Sequence, residues 1–531
     1  MKIQNTNNIY LKLYFTLFIG LALAGQIINY SPIPEADFWS IFERIDQLNK
    51  QNWFVLWDQH NEHRVILTYL IAYLDNKIFN NFFLNYFVTF LSFFGSAILI
   101  YKIFFELNKK NEMTEIFFGL LVCMVFYWSQ KPNFIFPFHV SIIWVNFFTL
   151  LSFYFYNHFC LNSKIKYLFL CILFSILSMF SLASGIFTLP LLLLLALLKK
   201  RFIDSILLFF ISSILIFIYF IDFSFISGHS NFFDLSFMHL ISIYLYFFGY
   251  LGSIFSFFIG KGLLGLYVAI FFGHVYLFLF LLQLNKFFKG NLPKNYDYLL
   301  LFILFVMITG FLTALGRFED GIQHSISSRY TTNTIYGWIV MLIIYLEYIK
   351  KYLFTYEAKN KLTVKPLFFL FIFFLSVYQF KAIKVDYSSE KILNRSYEIM
   401  SLLLGISIND RRIPHLDTEN IIQYHDEKLF FFKKNIFHSY QELQMICCNF
   451  ANSLDVEKLN NLAFKNNLTH KYKKVTFSSS SINQDIVYFK DVKGNISGYA
   501  ISQNLFSFLP VKNKIFVGID LNNDNISEIF Y

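Results

Sequence analysis

The sequence predicts a polytopic α-helical membrane protein with a C-terminal extracytoplasmic domain of α+β or β-rich character. Three observations carry this. Charged residues make up only 15% of the 531 and mean hydropathy is +0.51, whereas a soluble domain is nearer a quarter charged. The apolar residues fall into separable runs, many of about 20 residues, the length that crosses a bilayer core. From about Val385 the apolar runs stop, and charge and asparagine rise. The 73 phenylalanines raise hydropathy but say little about function.

About eleven spans are expected, at roughly 11–30, 83–105, 114–129, 139–157, 167–184, 186–198, 203–221, 263–284, 298–315, 334–349 and 366–384. The first 30 residues resemble a secretory signal, with Lys2, Lys12 and the small residues of LALAGQ. The long apolar core and the multispanning chain after it favour an uncleaved first span. Residues 237–258 are apolar enough to cross, but would equally lie in the interface or re-enter. Parity decides against crossing. One side then collects Lys2, Lys109, Lys110, Lys164, Lys166, Lys199, Lys200, Arg201, Lys286, Lys289, Lys294, Lys350, Lys351, Lys359, Lys361 and Lys365, the pattern of cytoplasmic loops. The N-terminus is therefore expected in the cytoplasm of a bacterial cell and the C-terminus outside its cytoplasmic membrane. The net charge of +10 is mostly these anchors, so no nucleic-acid partner is implied.

The expected division is a transmembrane domain over 1–384 and a soluble domain over 385–531. The first half of the latter reads as helical (SYEIMSLLLGI, ENIIQYHDEKLFFFKKNIF, SYQELQMICCNFANSL). The second half alternates like strands (KKVTFSSSSI, DIVYFKDVKGNISGYAI, KIFVGIDL), with Lys493, Gly494 and Asn495 as a turn. Cys123, Cys160 and Cys171 sit in or beside spans as small apolar residues. Cys447 and Cys448 are neighbours, and a bond between neighbours is strained. Asp520, Asn522 and Asp524 lack the glycine and closing glutamate of a calcium loop and read as an asparagine-rich turn.

The chemistry-capable residues gather in two of the outer loops, 31–64 and 316–334. The first holds the triplet Glu35-Ala36-Asp37, a helix pattern at Phe38, Ile41, Phe42, Ile45 and Leu48, and then Asp58, His60, Glu62, His63 and Arg64. The helix is expected to lie in the interface with its apolar side toward lipid. Asp37 is either its cap or a carboxylate offered as base or metal ligand, with Glu35 beside it. His60 and His63 have helical i, i+3 spacing, which two metal ligands would share, although two histidines alone make a weak metal site. Arg64 is either an interfacial anchor or a ligand for an anion. Acid, imidazole and guanidinium in alternation suit an anionic ligand that also carries hydroxyls. The second loop repeats the set with Arg317, Glu319, Asp320, His324 and Arg329. Both loops then offer cations on one face, at lipid-headgroup height.

This layout resembles the GT-C superfamily of membrane glycosyltransferases, which use polyprenyl-phosphate or -diphosphate sugar donors. Glu35-Ala36-Asp37 stands where that superfamily carries an acidic motif, just after span one and before an amphipathic interfacial helix. QHNEHR (59–64) and GRFEDGIQHSISSRYTT (316–332) are similar to strings in bacterial membrane proteins of this type. The resemblance covers the architecture of 1–384 and is specific only at these strings; the tail maps onto no characterised domain of the superfamily. It implies transfer of a sugar from a polyprenyl-phosphate donor to a glycan, lipid or protein acceptor. Asp37 is then the first choice of catalytic base and Glu35 the second. Arg64, Arg317, Arg329 and His63 would bind the donor phosphate; His60, Glu62, Asp58 and His324 would orient the acceptor. A divalent metal is compatible with these residues but not required. Two rival classes are a transporter or flippase for a lipid-linked saccharide, which more often has ionisable residues in mid-span and related halves, and a non-catalytic envelope scaffold.

Overall fold

The computed structural model describes residues 2–30, 40–79, 82–224, 236–260, 262–293, 295–360, 373, 375–383 and five strands between 473 and 530. Glu35, Asp37, the helical half of the tail with Cys447 and Cys448, the turn at 493–495, and Asn522 and Asp524 lie outside the described residues. By contacts the chain divides into two units. One comprises Met1–Leu23, Gln47–Leu74 and Leu84–Phe380, the other Ala24–Asp46, Asp75–Phe83 and Lys381–Tyr531.

The helices in chain order are α1 (Lys2–Ile28), α2 (Ser40–Asn49), α3 (Ile66–Ile78), α4 (Phe83–Leu107), α5 (Glu112–Val125), α6 (Lys131–Ile135), α7 (Val140–Asn162) and α8 (Ile165–Met179). There follow α9 (Thr188–Leu198), α10 (Phe202–Tyr219), α11 (Phe237–Leu251), α12 (Ser253–Ser256), α13 (Leu263–Phe288), α14 (Asp297–Arg317) and α15 (Thr331–Asn360). Their ends follow local chemistry. Asn111 and Thr114 form a reciprocal capping pair at the start of α5, and the Ser236 hydroxyl accepts from His239 N at the start of α11.

Among the described residues seven stretches are long and apolar enough to cross a membrane: Phe83–Leu107, Met113–Ile135, Pro137–Asn162, Phe202–Tyr219, Leu263–Phe288, Asp297–Asp320 and Ser328–Lys350. These answer to seven of the expected spans. Phe15–Ile28, Ile165–Met179 and Ala183–Leu198 are apolar but shorter, and of the expected span at 366–384 only 373 and 375–383 are among the described residues. Much of the outward surface is greasy. Ile203 is 84% exposed, Phe217 73% and Phe271 63%, and leaving each such side chain in water forgoes about 1.5–3 kcal/mol. Lipid is the solvent that fits.

The first unit has two distinguishable ends. At one, Tyr154 hydrogen-bonds Glu106, Lys199 pairs with Asp297 at 2.8 Å, and Lys350 donates to Asn108 at 3.2 Å. This lysine-rich end holds Lys199, Arg201, Lys286 and Lys350 from the clusters expected on one side. At the other end, Asn133 Nδ2 donates to the Arg329 carbonyl at 2.9 Å, His60 lies against Phe138, and Trp57 lies against Phe180. This loop end gathers 57–64, 127–139, 219–224 and 318–333.

The segment 237–258 enters and leaves at the loop end. His239 meets Phe318 at its start, and Phe257 meets Tyr127 at its finish. Between them Leu251 O accepts from Trp338 Nε1 at 3.0 Å. Trp338 lies seven residues into α15, about 10 Å along the helix. The path is therefore re-entrant with respect to the bundle. Its close fit needs glycine on both sides: a Cβ at Gly252 would collide with the Ala269 carbonyl, and one at Gly273 with the Phe248 carbonyl.

Helix α2 forms as expected, but three described residues of its apolar stripe are turned into protein rather than toward lipid. Ile41, Ile45 and Leu48 are each at most 1% exposed, so protein atoms cover them. In the second unit, Asp75 is a buried acid that accepts from Phe82 N at 2.7 Å, where the chain turns through a left-handed φ. Five antiparallel strands, β1 (Lys473–Ser479), β2 (Ile486–Lys490), β3 (Ile496–Ser502), β4 (Lys514–Asp520) and β5 (Glu528–Phe530), form one sheet in the order β1-β4-β3-β2-β5. The first four fall within the stretches whose alternation predicts strands. The pairing Lys473↔Asp520 through Ser479↔Lys514 makes β1–β4 the longest ladder and the one most separated in sequence.

Candidate functional site

The two charged loops meet at the loop end. Residues 58–64 are held there by the end of α10 through two devices. The Gln59 amide pairs with Ser224, accepting from its N–H at 2.9 Å and donating to its carbonyl at 2.7 Å. Arg64 is the other device. It is 1% exposed, and all three guanidinium nitrogens donate to carbonyls, those of Tyr219, Trp57 and Ile221. Its backbone N–H donates to the Tyr219 hydroxyl at 3.0 Å, and its guanidinium stands 4.7 Å from the centre of the Trp57 ring. Burial lowers its pKa, opposed by Tyr219, Asp222 and Asp58. Arg64 is thus neither a surface anchor nor presented to an outside anion. It is an internal staple, and its place among the phosphate ligands is not supported by where it sits.

His60 and His63 are not on a helix. They face each other across a tight hairpin, with His60 N donating to His63 O at 2.8 Å and the reverse bond at 2.9 Å. Asn61 takes the left-handed conformation that turns the chain, one that asparagine tolerates better than most residues. Opposed residues of an antiparallel bridge put their side chains on the same face, so the pair is brought together, though by strand rather than helix geometry. His60 is buried, its ring 4.6 Å from that of Phe138. Burial pulls the His63 pKa down to about 4; Glu62 opposes this, while His60 and Arg317 reinforce it. His63 is therefore a neutral imidazole at neutral pH, able to accept a proton or donate one N–H, but not a cation for phosphate. Asp58 is exposed at the edge of this group, its N–H bonded to Val55 O.

Glu62 bridges the loops. Its carboxylate lies 4.0 Å from Arg317, which also reaches Asp320 at 3.8 Å. Both separations are long and both carboxylates about 40% exposed, so Arg317 is loosely shared rather than neutralised. Asp320 lies 3.6 Å from His324 Nδ1. His324 Nε2 is 3.0 Å from Arg329, which also donates to the Tyr330 hydroxyl at 3.1 Å. Burial and Arg329 lower the His324 pKa, with Asp320 opposing. The Arg329 corner is fixed from behind. Asn133 donates to its carbonyl and to Thr332 Oγ1, and Thr332 donates to Gln130 at 2.6 Å.

Glu62, Arg317, Asp320, His324 and Arg329 form one continuous polar cluster, with His63 beside it. Gln59, Asn133, Gln130, Tyr219, Tyr246 and Tyr330 support it and were not singled out from the sequence. Asn133 and Gln130 gave a signal, as amides in an otherwise aromatic loop. Among the described residues no group of three His, Cys, Asp or Glu is placed to hold a metal ion, and Glu35 and Asp37 lie outside them. No protein-family model, curated protein or solved structure matches this chain.

Proposed function

We propose that the protein is a membrane glycosyltransferase of GT-C type, moving a sugar from a polyprenyl-phosphate donor to a cell-envelope glycan, lipid or protein. The observation that carries this reading is the meeting of the two loops through Glu62 and Arg317, at the end of the bundle opposite the lysines. In this reading the lysine-rich end is cytoplasmic and the cluster lies on the outer face. Arg317 and Arg329 stand where a lipid phosphate would be.

In this reading the acceptor oxygen attacks the anomeric carbon, and the bond from that carbon to the phosphate oxygen breaks. The leaving phosphate keeps the electron pair, and Arg317 and Arg329 stabilise its charge. Asp37, or second Glu35, takes the acceptor proton. Neutral His63, with His60 and Glu62, orients the acceptor hydroxyl.

The test is transfer by purified full-length protein supplied with radiolabelled polyprenyl-phosphate sugars and envelope extract as acceptor. Asp37→Asn should cost roughly 10²–10⁴-fold in turnover, the usual contribution of a general base, with folding in membranes intact. Full turnover in both Asp37→Asn and Glu35→Gln sinks the assignment. A second reading is a flippase for a lipid-linked saccharide. It is favoured by the re-entrant, broken segment 237–258, since broken helices line the midplane sites of many transporters. Translocation of the labelled lipid across vesicles without release of polyprenyl phosphate would select it.

A further inference from the structure

We infer that His324 is a positioning residue for Arg329, held as a neutral imidazole with its proton on Nδ1 so that the Nε2 lone pair fixes the guanidinium. The argument rests on donor and acceptor capacity. A guanidinium only donates, so the 3.0 Å contact between Arg329 and His324 Nε2 requires that nitrogen to be unprotonated. The proton then sits on Nδ1, where two groups can accept it: the Tyr246 hydroxyl at 3.3 Å and the Asp320 carboxylate at 3.6 Å. Tyr246 is fully buried and belongs to the re-entrant segment, which thereby reaches the cluster. The groups facing His324 are thus Arg317 from α14, Asp320 after it, Tyr246 from α11, and Arg329 with Tyr330 before α15.

Arg329 has few other restraints. Its Nε is buried with no hydrogen-bond partner among the described residues, and its guanidinium lies 5.0 Å over the Tyr330 ring. Protonating His324 would replace the accepting lone pair with a second N–H and set two cations 3.0 Å apart. The lowered pKa of His324 is in keeping with this, as the neutral ring is the form its neighbours favour.

Two measurements on the full-length protein in lipid nanodiscs test the inference. With ¹⁵N-histidine labelling, the His324 signal is assigned by its loss in His324→Gln. It should report a neutral ring protonated at Nδ1 at pH 7, with a midpoint below the ordinary value of about 6.5. In Arg329→Ala, which removes the donor to Nε2, the Nε2–H tautomer should gain population. An imidazolium or an Nε2–H ring in the unaltered protein at pH 7 overturns the inference. The second arm rests on the proposed function and uses farnesyl phosphate as probe. His324→Ala should weaken its binding roughly tenfold, the effect of one lost bond to a charged group. His324→Gln, which keeps an acceptor for Arg329, should recover most of that. Equal losses in the two variants count against positioning. If the unaltered protein binds no farnesyl phosphate, the donor reading fails, while the resonance of His324 still decides the inference.

Discussion

The two ends of the helical unit handle charge in opposite ways. At the lysine-rich end each described acid has a basic partner: Asp297 with Lys199, Asp204 with Arg201, Glu347 with Lys350, Glu115 with Lys110, and Glu106 with His158. At the loop end the cations are graded. Arg64 is saturated by carbonyls, Arg317 is shared between two carboxylates at 3.8 and 4.0 Å, and Arg329 faces an imidazole and a phenol. An end whose described acids are paired and whose lysines are in excess anchors the protein at the membrane surface. An end that keeps guanidinium groups loosely matched retains capacity for an incoming anion.

The largest expected effect tests whether Arg64 belongs with the structural charges. Removing Arg64 leaves three carbonyls without their donor, at about 1–3 kcal/mol for each that stays buried and unpaired, so Arg64→Ala should strongly lower the unfolding temperature in detergent. Unchanged stability would return Arg64 to the binding residues. Next comes pH. The pKa of His63 is lowered in the folded protein to about 4, so between that value and the ordinary one the unfolded chain binds more protons. Its stability contribution is complete above about 6.5 and is lost as pH falls through 4, up to about 3 kcal/mol. His63→Gln should flatten the acid limb of stability in that window; an unaltered limb would mean His63 is not desolvated.

A crossed pair of variants then separates the ends. Arg329→Ala should weaken farnesyl phosphate binding by about 1.5–3 kcal/mol with little change in unfolding temperature. Asp297→Asn should do the reverse, costing about 1 kcal/mol of stability with no change in binding. If both act alike, the contrast between the ends is only structural.

What the sequence discloses depends on how far apart the deciding residues lie. Apolar runs and lysine clusters are local, and they place the long helices and both ends. The alternation of 473–521 likewise marks strands. Arg64 shows the limit. Its fate is set by Tyr219 and Ile221, more than 150 positions away, and QHNEHR looks the same whether that arginine points to solvent or into the protein. His60 and His63 have helical spacing in the sequence, yet Asn61 and Glu62 close a hairpin. The amphipathic period of α2 identifies a helix but not what covers its stripe. Tyr246 lies in ISIYLYFFGYL, where three tyrosines look equivalent and only the crossing of α11 with the loop after α14 selects one.

The re-entrant segment also sets an order of assembly. Residues 237–258 are synthesised before α13, α14 and α15, yet nearly everything they bond to lies in those later elements: Tyr246 to His324, Tyr250 to Asn333, Ser253 to Thr334, Leu251 to Trp338. Gly252 has no Gly273 to close on until α13 has been made, Tyr246 gains His324 only after α14, and Tyr250, Leu251 and Ser253 gain their partners only with α15. The contacts of the segment are therefore completed last by α15. A chain truncated before Thr331 would carry every residue of the cluster but lack Thr332, which braces the Arg329 corner through Asn133 and Gln130.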